Sequence, residues 1–311
     1  MKKNSQKGPM VSIIMPVYNR AFMLREVLES LANQTYKNME VVLVDDGSTD
    51  NPQKIARDFG FVNYIYQENG GCSSARNTGI RNARGEILLF IDSDVISPPD
   101  LVEIHVRYHS KSRKRIVQGQ LIRIINLEDA YKMPFTISDY SRCFFDTANV
   151  SVRKEHMDRI GGFDEENFKK GWEDLDVGIR LLKLGLRLKR LVRKAYVWHY
   201  EGDYSQKCIM DFFNDRYNEG KAAVIFYRKY PTYSTKMMTM ISPFFFWLSN
   251  RLFNEEYLKS DSFYGKVREL IKRNKIKSAI NLVRFNGYCF YIKGIRNKIK
   301  EDGYIVMSKV S

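Results

Sequence analysis

Ile87-Leu88-Leu89-Phe90-Ile91-Asp92-Ser93-Asp94 decides the fold, because five unbroken apolar residues, strand-length rather than helix-length, end on two carboxylates. Reading back towards the N-terminus, the same short apolar run recurs as Val11-Ser12-Ile13-Ile14-Met15, Glu40-Val41-Val42-Leu43-Val44 and Val62 to Tyr66. Leu24, Val27, Leu28 and Leu31 recur at helical spacing between the first two runs, a short helix is expected near Ile55, and the Gly70-Gly71 turn introduces a helix from about Ser74 to Ala83. This alternation predicts a wound α/β sheet with helices on both faces. Crossovers between parallel strands are right-handed, so the carboxyl ends of the four strands share one edge, where ligands of such sheets bind. Tyr18-Asn19, Asp45-Asp46 and Asp92 to Asp94 each follow directly on a strand, and three distant segments converge there.

Further on the pattern is less regular, with a helix around Leu101 to Tyr108, strands near Ile116 to Ile125 and Val192 to Trp198, and a helix from Glu173 to Leu184. From about Ser205 to Ser311 it becomes helical and strongly basic. No internal repeat or low-complexity tract is visible.

The 311 residues carry 51 Lys plus Arg against 36 Asp plus Glu, a net charge of +15, and 44% are hydrophobic. Such a chain buries one large or two modest cores, and its charge favours anionic partners. Cys72, Cys143, Cys208 and Cys289 show neither metal-ligand spacing nor a local disulfide framework, which points to a reducing compartment. Val11 to Met15 is too short for a signal peptide, and Met237 to Phe253, the nearest candidate for a spanning helix, is too short and too polar. The chain is expected in the cytoplasm.

Asp92 and Asp94, two apart on an extended segment, project to one side and can grip a hard cation such as Mg²⁺ or Mn²⁺ facing a phosphate. An isolated Asp-x-Asp is also a common solvated turn. Its company makes the difference. Val11-Ser-Ile-Ile-Met-Pro-Val-Tyr-Asn19, Val44-Asp-Asp-Gly-Ser-Thr-Asp50, Ala75-Arg-Asn77 and Asp92-Ser-Asp94 together resemble the nucleotide-binding half of family 2 glycosyltransferases. Phe163-Asp164-Glu165 after Gly161-Gly162, and Gly171-Trp172-Glu173-Asp174-Leu175-Asp176 leading into Arg180-Leu181, resemble that family's acceptor-side signature.

The resemblance covers about residues 10 to 204. It implies a GT-A type, Rossmann-like nucleotide-diphospho-sugar transferase fold, with a flexible N-terminus at 1–9, a nucleotide-sugar half at 10–94, an acceptor half at 95–204, and a helical C-terminal extension at 205–311. It implies an inverting, metal-dependent hexosyl- or N-acetylhexosaminyl-transferase using a UDP-sugar. The acceptor is expected to be a glycan or lipid-linked hydroxyl in cell-surface polysaccharide synthesis.

Laid on this sequence, the resemblance puts Pro16, Val17 and Tyr18 at the base, with Tyr18 against the uracil face, and has a carboxylate of Asp45 or Asp46 accept from the base. It puts Arg76 near the nucleotide, Asp92 near the ribose or the metal, and Asp94 on a Mn²⁺ or Mg²⁺ ion. His199 either completes that shell or is a structural residue beside Trp198. Asp174 is the implied base, with Glu173 and Asp176 as substitutes, and the dipole of the helix that starts there favours its ionised form. Trp172 and Glu173 are candidates for sugar contacts, and Trp172 and Trp198 form either a sugar platform or core. The Gly70-Gly71 turn has no P-loop lysine after it, and His105 and His109 read as a surface helix without a third ligand.

In the tail, Val267, Leu270, Ile271, Ala279, Ile280 and Val283 recur at helical spacing among basic residues, with eleven Lys or Arg against Glu269 alone between Gly265 and Lys300. Phe244-Phe245-Phe246-Trp247-Leu248 supplies an aromatic wedge. These features predict docking of 237–300 on an anionic membrane, peripheral on the inner face of the cytoplasmic membrane; a solvated basic face is the alternative. No nucleic-acid reader motif is present, and no nucleic-acid partner is expected. Two other readings are a catalytically idle nucleotide-sugar-binding or membrane-bound scaffold of a polysaccharide assembly complex, and a nucleotidyltransferase, whose Gly-rich, Lys-containing loop is missing after Met15.

Overall fold

The computed structural model describes residues 8–132, 134, 145–169, 171–190, 194–202 and 204–303. They form two compact units, one of residues 1–169 and 173–200, the other of 170–172 and 201–311.

The first unit is built on a seven-stranded sheet. Four of its strands, β1 (Val11–Val17), β2 (Met39–Asp46), β3 (Val62–Gln67) and β4 (Ile87–Phe90), pair in parallel in the order β3-β2-β1-β4. Because side chains alternate across a strand, Ile13, Met15, Leu43 and Leu89 enter one core, packed with Leu24, Val27 and Leu28 of α1 (Ala21–Ala32). Ile14, Val42, Leu88 and Phe90 enter a second core on the opposite face, with Ala75 and Ile80 of α3 (Cys72–Asn82). The short helix expected near Ile55 is α2 (Pro52–Ala56). The carboxyl ends of the four strands lie at one edge, as the crossovers require.

Beyond β4 the structure departs from the sequence expectation. A two-residue strand, β5 (Val95–Ile96), follows the acidic pair and precedes α4 (Leu101–His109). The single strand expected over 116–125 is two strands in different sheets, β6 (Arg115–Gln118) and β7 (Gln120–Ile124). They part at Gly119, where a Cβ would collide with the Asn149 amide. β8 (Val150–Arg153), α5 (Lys154–Ile160), α6 (Glu173–Lys183), β9 (Arg187–Arg190) and β10 (Tyr196–Tyr200) complete the unit. β8 joins β4 antiparallel, followed by β6 and β9, while β5, β10 and β7 make a small second sheet. Of the strand expected over 192–198, residues 192–193 lie outside the described residues.

The histidines of α4 are not on a surface helix: His105 and His109 are buried. Ser151 of β8 faces both rings, at 2.8 Å from His105 Nδ1 and 2.8 Å from His109 Nε2, and Asn149 Oδ1 lies 3.0 Å from His105 Nε2. Burial pushes His105 down to about 4 and His109 down to about 3, so both rings are neutral at pH 7.

The second unit is helical: α7 (Gln206–Lys229), α8 (Tyr233–Met238), α9 (Pro243–Leu252), α10 (Glu255–Leu258), α11 (Asp261–Lys272) and α12 (Ile276–Glu301). The Ser205 hydroxyl caps α7 by accepting from Cys208 N at 3.2 Å. α7 and α12 cross at two glycines, since a Cβ on Gly220 would strike the backbone at Tyr291 and one on Gly294 the backbone at Tyr217. The basic stretch expected as one amphipathic face is broken at Asn274 (φ 57°), where Leu270 and Ile271 are only half-buried. Val267, Ala279, Ile280 and Val283 are all buried. No described helix is long and apolar enough to cross a membrane.

Of the expected flexible N-terminus at 1–9, residues 1–7 lie outside the described residues. Gly8 and Pro9 are pinned through their carbonyls, by Asn38 Nδ2 and the Tyr36 hydroxyl, each at 2.7 Å.

Candidate active site

Asp92 and Asp94 leave the end of β4, and β5 begins one residue later. β5 pairs antiparallel with β10 so that His199 stands opposite Val95, and Tyr200 N donates to Asp94 O at 2.9 Å. This pairing carries the imidazole to the acidic pair, with His199 Nε2 3.4 Å from Asp94 Oδ1. One ligand atom each from Asp92, Asp94 and His199 lie within 4.8 Å of one another. An octahedral ion about 2.1 Å from its ligands sets them about 3 to 4.2 Å apart, so a small side-chain adjustment seats one. Two carboxylates and one imidazole suit Mn²⁺, and Mg²⁺ less well. Arg20 NH2 lies 3.8 Å from Asp94 Oδ2, a cation beside the pair that sequence reasoning missed.

Arg76, on α3, is buried and meets carboxylates from both sides of the site: Asp92 at 3.0 Å, Glu173 at 3.2 Å and Asp174 at 3.7 Å. Burial works against its charge, but the carboxylates of Asp92, Asp174 and Glu173 hold its pKa well above the ordinary value. Its guanidinium also lies over the Phe163 ring at 5.6 Å. The sequence reading put this side chain near the nucleotide; in the structure it bridges the two acidic groups.

Its neighbour Asn77 was quoted in the sequence pattern without a role. Its amide donates to Phe163 O at 2.9 Å and to Glu165 Oε1 at 2.6 Å, and its Oδ1 accepts from Phe163 N at 2.8 Å. Gly162 (φ 73°) allows this approach, because a Cβ there would collide with the Asn77 amide. Two adjacent residues of one helix thus tie the nucleotide-side and acceptor-side motifs together.

Asp174, in the first turn of α6, is held by Thr147, whose N–H donates to Oδ2 at 3.1 Å and whose hydroxyl lies 3.0 Å from the same oxygen. Burial pushes its carboxyl well above the usual carboxylate range; Arg76 pulls it down, while Glu173 and Asp146 push it up. Desolvation therefore outweighs the helix dipole that the sequence pointed to, and the group is a stronger base than its position suggests. Asp176, read as a substitute base, is fully buried and paired with Arg180 at 2.7 Å. Glu173 is buried against Arg76.

At the other end of the edge, Tyr18 is 51% exposed while Pro16 is half-buried and Val17 lies in the core. Asp45 accepts from Ser48 N at 2.8 Å and from the Tyr64 hydroxyl. Asp46 accepts from Gln67 Nε2 at 2.7 Å and from Gly70 N and Gly71 N at 2.9 Å, which makes it the brace of the turn before α3. Trp198 is buried against Tyr131 and Tyr196. Trp172 belongs to the helical unit, where its indole N–H donates to Glu219 O at 3.0 Å and its ring packs on Phe226.

Residues 12–164 match the family model for glycosyl transferase family 2. This segment belongs to that family. Residues 133–203 also match the model described as the N-terminal domain of galactosyltransferase. Among family 2 relatives, an uncharacterized glycosyltransferase of Rickettsia typhi is 44% identical over 112 residues, covering 36% of this chain and 35% of that protein. The chain thus matches about a third of that relative's length. An uncharacterized glycosyltransferase of Bacillus subtilis is 28% identical over 283 residues, 67% of this chain and 70% of that one. Among solved structures, a mannosyltransferase from Pyrobaculum calidifontis in complex with GDP-Man and Mn²⁺ superposes with a TM-score of 0.62 at 18% identity, covering 96% of this chain and 88% of that one. That likeness identifies the family 2 fold, GT-A, with a helical C-terminal region.

Proposed function

We propose that the chain is an inverting, metal-dependent glycosyltransferase that moves a hexosyl or N-acetylhexosaminyl group from a nucleotide sugar to an acceptor hydroxyl. One observation carries the reading: Arg76 joins a cation-ready cluster, Asp92, Asp94 and His199, to a raised-pKa carboxylate, Asp174, within a single unit. Asp92, Asp94 and His199 would hold Mn²⁺ or Mg²⁺, which when bound neutralises the charge of the departing nucleoside diphosphate.

Asp174 takes the acceptor hydroxyl's proton. Thr147 fixes the direction of its carboxylate, and its raised pKa makes the transfer easier. Arg20 supplies a further positive group beside Asp94 for the diphosphate. The exposed Tyr18 ring offers the stacking face for a base. Asp45 retains lone pairs beyond its bonds to Ser48 and Tyr64 and is favoured over Asp46 for the base N–H. The donor is a UDP-sugar in this reading, the acceptor a glycan or lipid-linked hydroxyl of cell-surface polysaccharide synthesis, and the setting the cytoplasmic face of an anionic membrane, touched within 237–300.

Thermal shift with a panel of nucleotide sugars, with and without Mn²⁺, tests the donor. Asp94→Asn is expected to remove the metal-supported shift. Asp174→Asn should keep donor binding and lower turnover by about 10²- to 10⁴-fold. Full transfer by Asp174→Asn removes it as the base, and donor binding without any transfer by the wild type would leave the idle scaffold.

A further inference from the structure

α9 presents a row that the helical unit does not use. Phe244, Trp247, Arg251 and Leu252 recur on one side of the helix, with Phe244 58%, Trp247 59% and Leu252 54% exposed. The other side is packed: Phe245 and Phe246 lie against the unit's apolar cluster, Ser249 is buried, and Arg296 stacks on Phe246 and bonds Asn250. α8 repeats the arrangement, with Thr235 and Thr239 turned inward and Tyr233 (74% exposed), Met237 and Met238 outward.

Scattered exposed apolar residues are ordinary, but aromatic or Met side chains turned outward on each of two successive helices are a feature that marks interaction surfaces. Along the stretch of chain that carries both helices the charge has one sign. Between Gly220 and Asn254 there are five Lys or Arg and no Asp or Glu. Lys221 and Arg228 are paired with Glu301 and Asp302, whereas among the described residues neither Lys236 of α8 nor Arg251 of α9 pairs with a carboxylate.

We propose that α8 and α9 form an amphipathic wedge that docks on an anionic phospholipid bilayer, with Phe244, Trp247 and Leu252 inserted at the headgroup level and Lys236 and Arg251 on the phosphates. Trp and Tyr favour the membrane–water interface, and basic side chains beside them add an electrostatic attraction that salt screens. This rests on the peripheral-membrane reading above and narrows it to α8 and α9. In the basic cluster of 265–300 Val267, Ala279, Ile280 and Val283 are buried, and its exposed aromatic side chains, Phe285 and Tyr288, do not form a row like that of α9.

The chain's three tryptophans make the test specific, because Trp198 is buried and Trp172 packs on Phe226, leaving Trp247 the exposed one. The full chain is mixed with vesicles of phosphatidylcholine alone or with phosphatidylglycerol, carrying brominated acyl chains. Expected are sedimentation and quenching of tryptophan emission only with phosphatidylglycerol, both reduced by high salt, and a partition coefficient about tenfold lower for Phe244→Ser/Trp247→Ser. If the wild type binds anionic vesicles without quenching and the double variant binds equally well, the wedge is overturned while the membrane reading survives. If no vesicle is bound, both fall. Lipid-free dimerisation abolished by the same double variant would assign the row to a second copy and also overturn the proposal.

Discussion

In the sheet-bearing unit a buried guanidinium, Arg76, is surrounded by Asp92, Glu173 and Asp174, whereas in the helical unit the tightest contact is made by two residues with no side chain, Gly220 and Gly294. The first arrangement spends desolvation energy to hold charges where chemistry needs them. The second brings two backbones together, and its polar groups stay at the rim, as in the pairs Lys221–Glu301 and Arg228–Asp302. The two units should therefore fail in different ways: one through charge left unbalanced, the other through added volume.

The largest expected effect is Arg76→Met, which leaves three carboxylates facing one another and should cost about 3–5 kcal/mol in chemical denaturation. A loss below about 1 kcal/mol would show that solvent already screens the cluster. In the helical unit, Gly294→Ala would gain about 1 kcal/mol on an open helix. Against the backbone at Tyr217 it should instead lose about 3 kcal/mol, and a measured gain would break the close crossing.

Acid distinguishes the units again. His105 and His109 bind protons more weakly folded than unfolded, so their contribution is complete above about pH 6.5 and is lost as pH falls towards 4 and then 3. By pH 5 the loss is about 2 kcal/mol per ring, and His105→Gln should flatten the pH dependence of melting; an unchanged curve would show that the rings do not drive it.

The smallest effect has the opposite sign. The raised pKa of Asp174 means that its ionised form is worse accommodated in the fold than in the open chain, so stability is lost as pH rises through the folded pKa. Asp174→Asn escapes that loss and should gain up to about 1 kcal/mol near neutral pH while losing turnover. A melting temperature below that of the wild type would mean that the contact with Arg76 outweighs burial.

What could be read beforehand follows the range of the interactions. β1, β2 and β4 are apolar runs whose burial shows in their own residues, and the loops after them had to meet at one edge. β5 is two residues long, too short for any period to register, so the second sheet that carries His199 to Asp94 was invisible as a sheet. Thr147, Asp146 and Asn77 act on residues that are distant in the chain, and no local pattern announces that. In the tail, periodicity found the helices but not the surface each apolar row faces. Val283 and Trp247 read alike in the sequence, yet one is core and the other exposed. Gly220 and Gly294 were the available clue that α7 and α12 lie against each other.

The reach of α3 has a consequence for synthesis. Ser73, Arg76 and Asn77 bond Phe168, Glu173 and Phe163, partners that follow them by 95, 97 and 86 residues. A nascent chain that has left the ribosome only through β4 therefore holds a finished set of parallel strands beside a guanidinium whose counter-charges on α6 have not yet been translated. The acidic edge closes late, when α6 emerges, and truncated products made before that point carry the apolar core without the carboxylates of α6.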